Sequence, residues 1–222
     1  MKRLTVNIVC TDPQHPVNTW LERWITQIVE FADVRLCRDR SEVESGDFLF
    51  LVSCQQLIGD DIRGRFRYSL VLHASDLPKG RGMHPHVWAI LGGSNELVVT
   101  LLDARDPVDS GDIWSQRRIT LRGGELYDEI NAALFDAEID LMNWAIVNCD
   151  QSRPRPQSGE PSFYRRRKPE DSRIDPHRSV AEQFDLLRVA DPKRYPAFMD
   201  HGGRRYKISI ERMESLKNDQ NS

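Results

Sequence analysis

The sequence predicts an α/β protein: a Rossmann-like, mainly parallel sheet flanked by helices, with a small C-terminal extension of helix and strand. Three observations predict it. Short β-type runs recur along the chain. Helical periods stand between them. Two of the runs, DFLFLVSC (47–54) and YSLVLHAS (68–75), are almost continuously apolar. An unbroken apolar run marks a strand covered on both faces, as in a parallel sheet between helical layers.

The elements follow in order. LTVNIVC (4–10) is the first β-type run. NTWLERWITQIVEF (18–31) places Trp20, Leu21, Trp24, Ile25, Ile28 and Val29 at helical spacing. VRLC (34–37) is a second strand, and 47–54 and 68–75 are the buried ones. A helix through Trp88 leads to another strand, ELVVTLLDA (96–104). ELYDEINAALFDAEIDLMNWAIVNC (125–149) has a long helical period. Trp20, Trp24, Trp88 and Trp144 read as core residues. QSRPRPQSGEPS (151–162) is rich in Pro, Ser and Gly and reads as a linker or extended excursion. SVAEQFDLLRVAD (179–191) predicts a further helix, GGRRYKISI (202–210) a turn into a strand, and KNDQNS a frayed end. The expected organisation is a core over 1–150 and an extension over 151–222 that packs on it.

Composition sets the class. The chain has 222 residues, 39% hydrophobic and 29% charged, enough for a sizeable core. Its 31 Lys and Arg face 34 Asp and Glu, a net charge of −3, which argues against a nucleic-acid surface. No run approaches the roughly 18 apolar residues of a membrane span. The start, MKRLTVNIVC, is too strand-like for a signal peptide. Cys10, Cys37, Cys54 and Cys149 lack metal spacing and read as reduced thiols of a cytoplasmic protein. No metal site is expected.

In open α/β sheets, ligands bind beyond the carboxyl ends of the strands. His73 and Ser75 lie at such an end. VDSGDIW (108–114) sets Asp109 and Asp112 in a glycine-containing loop after the next strand, where Asp109 could meet His73. A His–carboxylate pair holds an imidazole in place and moves protons.

The combination is more specific than its parts. H-x-S-x-L-P, an RG pair, and a DSGD loop with its Asp 36 residues after the His resemble the 10-formyltetrahydrofolate-dependent formyltransferases. The resemblance implies an N-formyltransferase with His73 and Asp109 as catalytic residues. It implies a folate pocket of Ser53, Gln55, Leu57, Ser75, Leu77, Pro78, Arg105, Asp106 and Val108. The family carries an asparagine two residues before the histidine, which helps hold the oxyanion. Val71 stands there in this chain, and Gln55 and Ser75 are the candidates to replace it. SFYRRRKPEDSRID (162–175) and FDLLRVADPKRYPAFM (184–199) are similar to sugar N-formyltransferases, nearest the branch acting on UDP-linked 4-amino sugars of pseudaminic-acid type for surface glycans. That similarity implies an acceptor site of Gly80, Arg81, Gly82, His86, Arg188 and Tyr195. Arg188 is the first choice for the substrate diphosphate and the 165–168 basic run the second. A homodimer is compatible with the family. Three alternatives stay open: methionyl-tRNA formyltransferase, glycinamide ribonucleotide formyltransferase, and a non-catalytic folate or nucleotide-sugar binder, the last suggested by Val71.

Overall fold

The computed structural model describes residues 3–213. Its centre is a six-stranded sheet of order β2-β1-β3-β4-β6-β7. The strands are β1 (Leu4–Val9), β2 (Ala32–Cys37), β3 (Gly46–Leu51), β4 (Phe66–His73), β6 (Glu96–Asp103) and β7 (Ile113–Thr120). A two-residue strand, β5 (Arg81–Gly82), lies outside it. The first four strands of the sheet are parallel. β6 runs antiparallel to β4, and β7 antiparallel to β6.

The reversal has a simple cause. The chain leaves β4 at its carboxyl end, builds a loop and the short helix α3 (Pro85–Leu91) there, and re-enters from the same edge. His73 therefore pairs with Thr100, midway along β6. β7 escapes the sequence reading because Ser115, Gln116, Arg117 and Arg118 interrupt its apolar pattern. It is half-exposed at the sheet's edge.

The strands bury alternate side chains on opposite faces. Ile8, Phe50 and Leu70 join the larger core beneath α1 (Asn18–Ile28) and α4 (Tyr127–Asn148), with Leu21, Trp24, Leu134, Leu141 and Met142. Val9, Leu49 and Leu51 meet Ile58 and Ile62 on the other face, beside the four-residue helix α2 (Asp60–Arg63). Trp24 is fully buried, and its indole donates to Asn143 Oδ1 at 2.7 Å. One carboxyl group, Glu138 on α4, is buried with Oε2 unpartnered. Burial pushes its pKa up to about 8. All four cysteines are free thiols.

The C-terminal third departs from the sequence reading in two ways. The single helix expected over 179–191 is a 3-10 turn, Ala181–Gln183, followed by α5 (Phe184–Arg188). Gln183 leaves helical geometry (φ −114°, ψ 9°), and its side chain binds back to the Asp175 and Ser179 carbonyls. The stretch 151–162 is extended but does not behave as a linker. Arg155 forms a two-way backbone bridge with Ile113 at 2.7 and 2.9 Å. Just beyond it, β8 (Phe163–Tyr164) pairs in parallel with β5. The chain then forms a hairpin of β9 (Ala197–His201) and β10 (Arg204–Ile208). Gly202 and Gly203 turn it, both at positive φ, as a tight hairpin turn requires. Among the described residues no helix is long and apolar enough to cross a membrane.

Candidate active site

His73 ends β4 and is 8% exposed. Its Nε2 lies 3.0 Å from the carbonyl oxygen of Gly80. A carbonyl only accepts, so Nε2 carries the hydrogen in this bond. Nδ1 faces Asp109 Oδ1 at 3.6 Å, longer than a hydrogen bond. Asp109 is equally buried, and its Oδ2 accepts from the Gly82 amide at 2.9 Å. The loop after β4 thus grips both groups: Gly80 orients the imidazole and Gly82 the carboxylate. Gly82 cannot be replaced cheaply. It sits at φ +100°, and a Cβ there would lie 2.3 Å from the Tyr164 carbonyl oxygen.

Among the described residues, three that are not glycine hold positive φ: Ser53, His84 and Asp109. Each such position costs roughly 1–3 kcal/mol and persists only where its surroundings enforce it. Ser53 follows β3, and its Oγ is 3.2 Å from His15 Nε2. His84 precedes α3. All three stand where the chain turns over the rim of the sheet around His73.

The rim also collects polar atoms with no partner. Ser75 Oγ, Arg81 Nε, His86 Nδ1 and Arg167 Nε are buried and unbonded. Buried polar atoms are normally paired, so unmade bonds concentrated at one rim fit a ligand site. Three histidines there, His15, His84 and His86, are shifted toward the neutral form. Burial, then Arg194, pushes His15 down to about 4. Burial, then His84, pushes His86 down to about 3. Burial, then Arg167 and Arg166, lowers His84. Arg194 is already paired with Asp12 and Asp191, whereas the charge of Arg166 and Arg167 beside His84 suits an anion. Among the described residues no group of three His, Cys, Asp or Glu is placed to hold a metal ion.

The other residues singled out by sequence divide. Ser75 is buried and its carbonyl accepts from Thr100 Oγ1 at 2.6 Å. Leu77 packs with Leu102 and Ile113, and Val71 borders that cluster. At the position of the family asparagine the surface is therefore aliphatic. Pro78 is buried; Gln55 is exposed. Leu57 and Val108 expose 70% and 56% of their surface, free apolar area on the loops after β3 and β6. Arg105 is engaged by Asp103 and Asp112, and Asp106 by Arg63 at 2.6 Å. Tyr195 is exposed beneath Arg194, which reaches Asp12 at 2.7 Å and so ties the 191–195 turn to the His15 loop.

Arg188, the expected diphosphate contact, is 2% exposed, bonded to Asp185 at 2.6 Å and Asn95 at 3.4 Å, with Glu125 at 4.0 Å, and its Nη1 is buried without a hydrogen-bond partner. One expectation is corrected: Trp88 is not a core residue. Its ring stacks on Tyr164 at 6.2 Å, Arg165 lies over it at 4.7 Å, and its indole donates to the Arg165 carbonyl. Sequence reasoning also misses Gln157, Ser162 and Arg167 as individuals. The first two lie in a stretch whose composition reads as a linker or extended excursion, and the third in the 165–168 run, which the sequence offers only as a whole as the second choice for the diphosphate. The Ser162 hydroxyl accepts from the Gly80 amide at 2.9 Å.

With this geometry in place, comparison with known proteins gives the class. The profile of the family described as Formyl transferase matches residues 36–146, half of the chain. The chain belongs to that family, and it is an enzyme of the formyltransferase type. Three solved structures show the same fold. Methionyl-tRNA formyltransferase from Clostridium thermocellum is 22% identical with a TM-score of 0.79, over 98% of this chain and 95% of that one. HypX from Aquifex aeolicus, in complex with tetrahydrofolic acid, is 18% identical with a TM-score of 0.80, over 94% of this chain and 38% of that one. A sugar N-formyltransferase from Shewanella is 14% identical with a TM-score of 0.71, over 96% and 99%.

Proposed function

We propose that this chain transfers a formyl group from 10-formyltetrahydrofolate to the amino group of a nucleotide-linked amino sugar, a UDP-4-amino sugar in the first instance. The observation that carries the reading is the His73–Asp109 pair, gripped by the Gly80–Gly82 loop at the carboxyl edge of the sheet in a formyltransferase chain. The sugar acceptor is supported by the RRRKPEDSRID and RYPAF segments and by the structural likeness to a sugar N-formyltransferase.

The residues suit both ligands. The unpartnered Ser75 Oγ and the exposed Leu57 and Val108 fit a flat, partly apolar folate with a polar reacting end. Bound there, the folate supplies the formyl carbon. As the amine nitrogen bonds to the formyl carbon, Asp109 takes the proton the amine must lose and His73 steadies the developing oxygen charge; the proton then passes by way of His73 to the folate nitrogen as its bond to the formyl carbon breaks. Ser75 supplies the donor that Val71 cannot. The neutral His86, with Gly80, Arg81, Gly82 and Tyr195, lines the acceptor side. The phosphates take the field of Arg166 and Arg167 in place of Arg188. In this reading residues 1–150 carry the reacting groups and 151–222 complete the acceptor side.

The test mixes protein with 10-formyltetrahydrofolate and a panel of nucleotide-linked amino sugars, with product mass as readout. Gain of one formyl group on a UDP-4-amino sugar, abolished by His73→Asn with the fold intact, is expected. Transfer to methionyl-tRNA or glycinamide ribonucleotide instead would replace the acceptor. Folate binding without transfer to any amine would leave a binding protein.

A further inference from the structure

Asp109 holds a left-handed backbone conformation at φ 61°, and its carboxylate faces His73 at 3.6 Å. The contacts that hold it come from far along the chain. Gln157 donates through Nε2 to the carbonyl oxygens of Asp109 and Gly111, both at 2.8 Å. Its Oε1 accepts from Arg81 Nη2 at 2.6 Å. One half-buried amide therefore joins the two loops that make the site: the glycine loop after β4 and the aspartate loop after β6. The loops meet a second time where the Gly82 amide binds Asp109 Oδ2. Gln157 lies outside the segment that matches the family profile.

We infer that Gln157 is a positioning residue. It fixes the left-handed turn at Asp109, and through it the Asp109–His73 geometry, and it couples that geometry to the loop on the acceptor side. The inference rests on the catalytic reading of His73 and Asp109, but not on the identity of the acceptor. A primary amide suits this position because it offers two N–H donors to two carbonyls and one oxygen to a guanidinium. Glutamate keeps only the second function, and leucine keeps neither.

The experiment compares the full-length chain with Gln157→Leu and Gln157→Glu in two measurements. The first needs no ligand: NMR of the His73 ring nitrogens across pH. In Gln157→Leu the His73 titration midpoint is expected to move by about half a unit or more, because the carboxylate beside it loses its fixed place. A His73 titration unchanged in a folded Gln157→Leu protein overturns the inference. The second measurement is formyl transfer with the UDP-4-amino sugar that the wild type accepts. A kcat loss of about 10- to 100-fold is expected, with a smaller change in the folate KM. Gln157→Glu should recover part of that loss toward acid pH, where a protonated carboxyl regains one donor; Gln157→Leu should not. Equal kcat in all three proteins overturns the inference. If the wild type transfers to no acceptor while the His73 titration moves as expected, the acceptor reading fails and the positioning role stands. If Gln157→Leu does not fold, Gln157→Glu carries both measurements.

Discussion

The interior beneath α1 and α4 and the rim at the carboxyl ends of the strands follow opposite rules. In the interior, Ile8, Phe50, Leu70 and Leu141 are fully buried among apolar neighbours, and Trp24 finds Asn143 for its indole. At the rim, three residues hold positive φ, buried polar atoms stand unbonded, and histidines are kept neutral by burial and nearby arginines. The interior devotes its residues to stability. The rim holds arrangements that cost stability and are worth keeping only if something binds there. Glu138 is the exception that sharpens the contrast: an unpaired carboxyl on the interior side.

The sharpest way to break the contrast is His73→Asn, which should remove turnover by a factor of about 1,000 or more while thermal unfolding hardly changes. A large loss of melting temperature would mean that His73 is structural. Its mirror image is Phe50→Ala in the interior. It should cost about 3–5 kcal/mol in denaturant unfolding, through lost transfer energy and the cavity left behind. Ser75→Ala separates the two regions more finely. Its hydroxyl has no partner, so stability should hold, whereas the rate should fall about 100-fold if Ser75 supplies the oxygen's donor.

The two pH effects are smaller and opposite in sign. Glu138 titrates near 8 when folded and near 4.5 unfolded, so the unfolded chain gives up its proton first. Stability is therefore lost as pH rises from about 4.5 to 8, and Glu138→Gln should recover on the order of 3 kcal/mol at pH 8 and little near pH 4.5. His15 titrates near 4 when folded against 6.5 unfolded. Its contribution is present above pH 6.5 and is lost as pH falls toward 4. Thermal melts of His15→Gln should show that acid loss reduced by about 1–3 kcal/mol. An unchanged acid limb would place the loss elsewhere.

Much of this is legible in the sequence, and the misses have physical reasons. The buried strands β3 and β4 declare themselves through unbroken apolar runs, and His73 and Asp109 through their loops. β7 does not, because an edge strand with one covered face carries Gln and Arg where a central strand carries Val and Leu. The surroundings of Arg188 are not legible, because residue type says nothing of burial: the sequence does not show that this arginine lies beside Asp185, Asn95 and Glu125. Gln157 is invisible because its partners are backbone carbonyls 46 and 48 residues away. Pro, Ser and Gly around it signal extended chain, and extended chain over a site looks the same in sequence as extended chain in solvent.

The strap from Arg155 to Tyr164 also sets an order of events during synthesis. A ribosome delivers the amino-terminal part of a chain first. All six strands of the central sheet, with His73 and Asp109, end by Thr120. The residues that bridge Ile113, clamp the Asp109 turn and pair with β5 arrive later. A nascent chain, or a product truncated before residue 150, can thus own a finished sheet with His73 and Asp109 without the contacts that set the Asp109 turn. The contacts that set the geometry of the rim are thus supplied by the last third of the message.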